Sequence, residues 1–468
     1  MAGVPLPTSS YPGLRPQEGK GRLINAFMER RGKDEFLLRR VPGVRAFAQA
    51  TSSFCRGLHA VSGVVLGVWD DRLVRIDDDG AATDLGEIAG SGPVYFASNN
   101  KSPTPDILLV TSVGVYSCTI SGAPTTFVDA DLPQPNSICF IDGYFMATIA
   151  DGRVFSSGLN NTSFATLDFA TAEGKPGGLL RGIPFGQQLY LFGPKAIEPW
   201  YNAANPEGFP FSRATVIPIG LASATAVAGH EDGFSTALLF VGNDRRVWRI
   251  DSGMPQVVST PDVDRDLASV GDPAQIHALV FSAAGHACWA VTGPDFTWVL
   301  DLSTSEWHER ASYLDDHWRA KYSVNAFDRW LVADETTDDV GEIDEDYHEE
   351  YGNPLIYEVR TEVSGVFPNR VAIARMDADF TVGQGLVNGR EPIETRPQVF
   401  IDYSKDGGYA FSEPVMRELG RAGESRARVY VNRLGLTGPK GICYRFRVSD
   451  PVYVALLGVS HEVEARPR

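Results

Sequence analysis

The chain has 468 residues, 43% of them hydrophobic and 22% charged, with a formal net charge of −17. That composition is ordinary for a folded globular protein of roughly two to four domains, and its acidity excludes a general nucleic-acid coat or a binder of anionic membrane surfaces. The 47 glycines and 30 prolines favour many turns between short strands.

Residues 1–21 are rich in Pro, Ser and Gly and read as an extended arm. Two strand-like pieces follow, 23–27 and 35–38, before the turn at Pro42-Gly43. From about 57 to 363 the chain alternates short strands and turns. Its clearest unit is 238–253, where Leu238-Leu239-Phe240-Val241 and Val247-Trp248-Arg249-Ile250 flank a turn at Gly242-Asn243-Asp244. A hairpin alone is marginal in water, so this one must recur or pack. Val74-Arg75-Ile76-Asp77 and Trp298-Val299-Leu300-Asp301 repeat it, with weaker echoes after Gly114, Gly152, Gly193 and Gly341. The corresponding positions, Ile76, Tyr116, Phe155, Ile197, Ile250, Leu300 and Ile343, are 39 to 53 residues apart. A period of that length, filled with short strands, is the signature of a β-propeller. Six to seven blades are expected over 22–366. Strands covered by neighbouring blades on both faces explain why stretches such as ALLFV lack clean alternation. Helical spacing is confined to 263–270 and 313–321.

The texture changes near Phe367-Pro368. Residues 367–468 carry a net charge of +3, and the remainder −20. Strand patterns at 371–376, 398–403, 427–432, 443–448 and 452–457 predict a separate C-terminal antiparallel β-sandwich, 367–468. The fold class is thus all-β, a propeller followed by a sandwich.

Few residues invite chemistry. Cys55, Cys118, Cys139, Cys288 and Cys443 are odd in number, unpaired in spacing and flanked by apolar residues, so buried free thiols of a reducing compartment are expected. No secretory pattern opens the chain, and no apolar run is long enough to span a membrane. The eight histidines make no HExxH or zinc spacing, and no GxSxG, P-loop or GxGxxG occurs. No cofactor, metal or catalytic residue is expected. The acidic run Asp338, Asp339, Glu342, Asp344, Glu345 and Asp346 lacks the spacing of a calcium loop and reads as a charged strand edge with its loop. Trp200, Trp298 and Trp307 could stack on sugars but fit better as core residues. Ser404-Lys405-Asp406-Gly407-Gly408 resembles the Asp-box turn of sialidase-type propellers, which shapes a hairpin and does no catalysis. Arg426 with Arg428, and Arg445 with Arg447, are each spaced to share a strand face. With Arg417, Arg421 and Arg433 they form a candidate docking surface for an acidic neighbour.

Several blocks together resemble the packaged-DNA stabilisation, or tail hub and nozzle, family of short-tailed bacteriophages. They include Ile141-Asp142-Gly143-Tyr144-Phe145, Ser157-Gly158-Leu159-Asn160 and the run LDFATAEG at 167–174. Further on come Glu198-Pro199-Trp200-Tyr201-Asn202, Ser259-Thr260-Pro261, Arg433-Leu434-Gly435 and Ser449-Asp450-Pro451-Val452. The blocks span about 22 to 465, and their order and spacing carry the resemblance jointly. Asn161 departs from it, standing where an acidic residue is common. The resemblance implies a non-enzymatic virion tail component, made in the host bacterial cytoplasm. It would form a homo-oligomeric ring, in related phages sixfold, below the portal and its adaptor protein. The ring would continue the DNA channel, retain packaged DNA without sequence-specific binding, and anchor the tail needle and the tail fibre or tailspike. The acidic residues 338–346 are then candidates for the channel wall, and the 262–274 connection for contact with other tail proteins. The competing reading is a tail-associated propeller that binds or hydrolyses host-surface glycan.

Overall fold

The computed structural model describes residues 2–465 apart from 34, 206–207, 235–236, 252–253 and 366. The end of the 238–253 unit and the residue at the expected 366/367 boundary therefore lie outside the described residues. Seven antiparallel blades, at 55–87, 95–127, 137–171, 181–213, 227–257, 277–309 and 320–344, form the propeller. The seven repeat positions from Ile76 to Ile343 each fall on the third strand of successive blades. The last blade has only three strands of its own. Its fourth is Gly43–Gln49, which pairs with Asp339–Asp344 through Val44 opposite Ile343 and Arg45 opposite Glu342. The ring of blades is thus sealed by a strand from near the N-terminus, leaving no long sheet edge at the seam.

Blade-to-blade packing explains the blurred alternation. Leu238 and Phe240 face blade four, in a cluster with Phe192 and Ile197. Leu239 and Val241 face the opposite way, into the cluster that holds Val280, Trp289 and Trp330. All four are fully buried, and burying each such side chain contributes about 2 kcal/mol. The turn between the two strands closes through Gly242 N–H to Arg246 O (2.8 Å), with Arg245 at φ 64°.

The helix expected at 263–270 is present as α1, Pro261–Ser269. Thr260 caps it by accepting from Val263 N–H, and proline stands in its first turn. It does not leave the propeller: Val263 and Leu267 are buried in the core, and Trp298 Nε1 donates to Asp266 (2.9 Å). The helical spacing at 313–321 gives no helix. Leu314 has φ 60° and Ser312 N–H donates to His317 O (3.0 Å), closing a turn. Strand Ala320–Ala326 follows directly.

The second module is a sandwich, but it is not confined to the C-terminal residues. One of its sheets runs Ala26–Arg30, Phe36–Arg40, Ala455–Ala465, Val371–Phe380, Val429–Leu436. The other continues outward from blade six: Arg22–Ile24 lies between Glu306–Glu309 and Tyr357–Arg360, followed by Cys443–Val448, Gln398–Ser404 and Val415–Glu418. Residues 22–40, expected in the propeller, thus pair with sandwich strands. A strand pattern specifies a buried face, not the partner sheet. The arm at 1–21 is also held: Ala2 and Gly3 pair with His461 and Ser460, and Ser10 donates to Glu309 (2.6 Å).

Asn25 marks the passage between the two sheets. It is buried at φ 50°. Its Nδ2 donates to Ala311 O (2.9 Å) and Ile356 O (3.0 Å), and its Oδ1 accepts from Ala311 N–H (3.1 Å). Nearby, Arg40 is buried and donates to the carbonyls of Val448, Asp450 and Val452. Burial, which disfavours the charge, draws its guanidinium down to about 10.

Candidate functional site: the propeller axis and the charged surfaces

The first strands of the blades surround the axis, where a cavity of about 490 Å³ is lined by residues of all seven blades. Blade five contributes a first strand of only two residues, Val227–Ala228. The chain beyond it turns inward, so His230, Glu231 and Asp232 line the cavity. Phe234 reaches Trp330 of blade seven (6.2 Å, edge-on). A Cβ on Gly233 would collide with the Asn325 side chain, which accounts for glycine there.

Arg181, at the start of the inner strand of blade four, lines the cavity and reaches blade two. Its guanidinium lies over the Tyr95 ring of blade two (4.8 Å) and donates to Ala224 O (3.0 Å). The nearer ring nitrogen of His230 is 3.5 Å away. Lys321 of blade seven pairs with Glu335 (2.9 Å). The hydrogen bond from His317, then Lys321, holds the Glu335 carboxyl down at about 2. His59 lies parallel to Phe96 (5.7 Å) and bonds Ser98 (3.1 Å). Burial lowers both His59 and His277 to about 4, and His230 in the same direction, so these imidazoles are neutral at pH 7. The sequence reading missed this cluster because its members come from separate repeats. The available signal was a charge, Arg181, opening the otherwise uncharged strand Arg181–Phe185.

The acidic run belongs to blade seven, on the third strand Asp339–Asp344 and the residues flanking it, and none of it lines the axial cavity. Much of its charge is matched locally. Glu342 pairs with Arg329 (3.0 Å), Asp344 with Arg45 (2.6 Å) and Glu345 with Arg39 (3.8 Å). Asp339 accepts from Thr337 (2.8 Å) and Asp338 from Gln49 (3.4 Å). Glu345 and Asp346 are the exposed members.

The seven arginines divide in the structure. Arg445 and Arg447 share a strand face as expected, but both grip the buried Asp402 carboxylate, Arg445 through two nitrogens and Arg447 at 3.0 Å. Arg417 donates to the carbonyls of Tyr430 and Met416, both at 2.7 Å. Arg426 and Arg428 precede strand Val429–Leu436 and lie in a loop, not on a strand face. Arg421, Arg426, Arg428 and Arg433 are exposed and have no ion pair among the described residues.

The Asp-box-like segment folds as a turn. Ser404 Oγ donates to Asp406 (2.6 Å) and accepts from Gly408 N–H (2.8 Å), while Asp406 also accepts from Tyr409 N–H (2.9 Å). All five cysteines are free and buried. Burial pushes the thiols of Cys55, Cys118 and Cys139 up to about 12, far from a reactive thiolate. Trp200, Trp298 and Trp307 are buried in the core. Among the described residues no His, Cys, Asp and Glu group could hold a metal, and no helix is long and apolar enough to cross a membrane.

Fold and site define a sealed β-propeller with a sandwich built onto its side. Residues 24–348 match the family described as "Bacteriophage P22 Gp10, beta-propeller", and residues 357–464 match "Bacteriophage P22 Gp10, beta-sandwich". The chain belongs to this packaged-DNA stabilisation, or tail hub, family, and it is a structural component of a phage virion tail. No curated protein sequence matches it. Solved propellers resemble it in fold alone. A streptogramin B lyase is 12% identical over 64% of this chain and 96% of that chain, with a TM-score of 0.45. A catalytically inactive virginiamycin B lyase from Staphylococcus aureus, with Quinupristin, is 16% identical over 62% and 94%, with a TM-score of 0.44. The WD40 propeller of Doa1 is 13% identical over 64% and 96%, with a TM-score of 0.42.

Proposed function

We propose that copies of this chain join head to tail in a closed ring, of six members in the simplest case, beneath the portal and its adaptor protein. The ring's lumen continues the DNA channel and retains the packaged genome, and its outer surface anchors tail needle, fibre or tailspike. The observation that carries this reading is the ordered match of both modules to one tail-hub family across 24–348 and 357–464. Physical features support it. A duplex whose major groove alone is about 12 Å wide does not fit an axial cavity of about 490 Å³ lined by Arg181 and Tyr95, so any DNA path runs between copies. Rings of more than two members use heterologous contacts, and a propeller-side chain of net −20 beside exposed, unpaired arginines offers complementary surfaces.

The channel wall would include exposed acids such as Glu345 and Asp346, which repel phosphates and keep DNA mobile. Arg421, Arg426, Arg428 and Arg433 would dock against the acidic face of a neighbour. The protein acts by shape and charge without catalysis, and its buried thiols suit synthesis in the host cytoplasm. Electron microscopy of intact particles tests the proposal. A symmetric ring of this chain below the adaptor is expected, and its absence from that position overturns the reading. Charge reversal of the four arginines should prevent incorporation into particles.

A further inference from the structure

We propose that the propeller axis is a binding site for a small hydroxylated oxyanion, of the size and chemistry of a sugar acid or sugar phosphate. The cavity volume of about 490 Å³ lies within the ~300–1,000 Å³ range of small-molecule pockets. Its charge is unbalanced in one place. Several other buried or half-buried arginines are spent, Arg40 on three carbonyls, Arg445 on Asp402 and Arg319 on Asp334; Arg310 keeps unpartnered nitrogens but is fully buried away from the cavity lining. Arg181 has one carbonyl bond, a ring face and a neutral imidazole near it, and no carboxylate within ion-pair distance among the described residues. Most of its donors thus remain for a ligand.

One further group at the same place lacks a partner. The Tyr95 hydroxyl oxygen is buried without a hydrogen bond. Buried polar atoms are ordinarily satisfied, and a ligand oxygen beside the guanidinium satisfies it. Of the lining carboxylates, Glu231 is turned to its own loop, accepting from Gly229 N–H (2.6 Å) and lying 3.7 Å from His230 Nδ1, and Asp232 is exposed. The lysine of the lining is matched by Glu335. Farther along, Ser98, Ser323 and Asn325 present hydrogen-bonding groups to the cavity, which suits a ligand body bearing hydroxyls.

The test is calorimetric titration of the full chain with glucuronate, glucose 6-phosphate and glucose at matched ionic strength. Saturable binding of at least one anion is expected, with none of the neutral sugar. The anion that binds distinguishes carboxylate from phosphate. Arg181→Gln should weaken binding by tenfold or more, as loss of a charge-assisted contact does. Tyr95→Phe removes only the unpartnered hydroxyl, should fold normally, and should weaken binding severalfold; it decides the matter if Arg181→Gln does not fold. Absence of anion binding, equal binding of glucose, or unchanged affinity in Tyr95→Phe overturns the proposal.

Discussion

Substitution of Asn25 should loosen the joint between propeller and sandwich by an amount that can be worked from its contacts. Its side chain makes three hydrogen bonds, to both polar atoms of Ala311 and to Ile356 O, in a buried setting. At about 1 kcal/mol net for each, Asn25→Ala loses about 3 kcal/mol. A further ~1 kcal/mol arises because alanine resists the left-handed backbone that asparagine tolerates. Asn25→Gly removes the bonds but not the conformational fit, and should lose about 3 kcal/mol. Asn25→Asp should be the most costly of the three. It keeps the acceptor for Ala311 N–H but turns a carboxylate oxygen toward two carbonyls in a buried site. Differential scanning calorimetry should rank midpoints as native, Gly, Ala, Asp, with shifts of several degrees. If Asn25→Gly melts with the native protein, or Asn25→Ala costs under about 1 kcal/mol, the hydrogen bonds do not hold the joint.

The histidines predict a stability maximum near neutral pH. His59 and His277 are held at about 4 and His308 at about 3, by burial. Below pH ~6.5 the unfolded chain therefore binds protons that the folded chain refuses, and stability falls as pH drops toward 4, by at most about 4 kcal/mol per unit for three groups. His286 and His317 are raised by the hydrogen bonds they donate to Asp301 and Glu335, so their contribution, full below ~6.5, is lost as pH rises through their folded values. Chemical denaturation midpoints from pH 4 to 9 check both limbs, and a maximum at either end refutes the assignment. Asp402→Ala strands Arg445 and Arg447 and should cost about 3 kcal/mol in the same assay; a loss under 1 kcal/mol would mean that these arginines are free for docking. Thiol titration should find no reactive cysteine in the native protein and five after denaturation; a fast native thiol refutes the burial.

The blades were legible because each repeats one chemical event, a hairpin whose third strand carries an apolar residue in register. Ile76, Phe155 and Leu300 mark those strands without any knowledge of packing. What escaped was the choice of partner. Phe36-Leu37-Leu38 looks the same whether it joins a blade or pairs with Ala455–Ala465, and pairing is decided by residues some four hundred positions away. Spacing also misread Arg426 and Arg428, because the strand begins only at Val429. The axial cluster has no local pattern: Tyr95, Arg181 and His230 meet only when the circle closes. For the arginines, sequence shows charge but not that Asp402 consumes Arg445 and Arg447.

The interleaving of early and late segments also sets a clock. Residues 2–3, and the second edge of 38–39 beyond their hairpin with 27–28, find their partners only after 455–465 have been made. At ~5–20 residues per second of synthesis, Phe36–Arg40 waits on the order of 20 to 90 s beside a nascent chain that cannot complete its sheet. Arg39 and Arg40 at the end of that strand discourage unwanted edge pairing in the interval. Translation arrested before the last strand leaves an unfinished sandwich, because that strand lies between Phe36–Arg40 and Val371–Phe380.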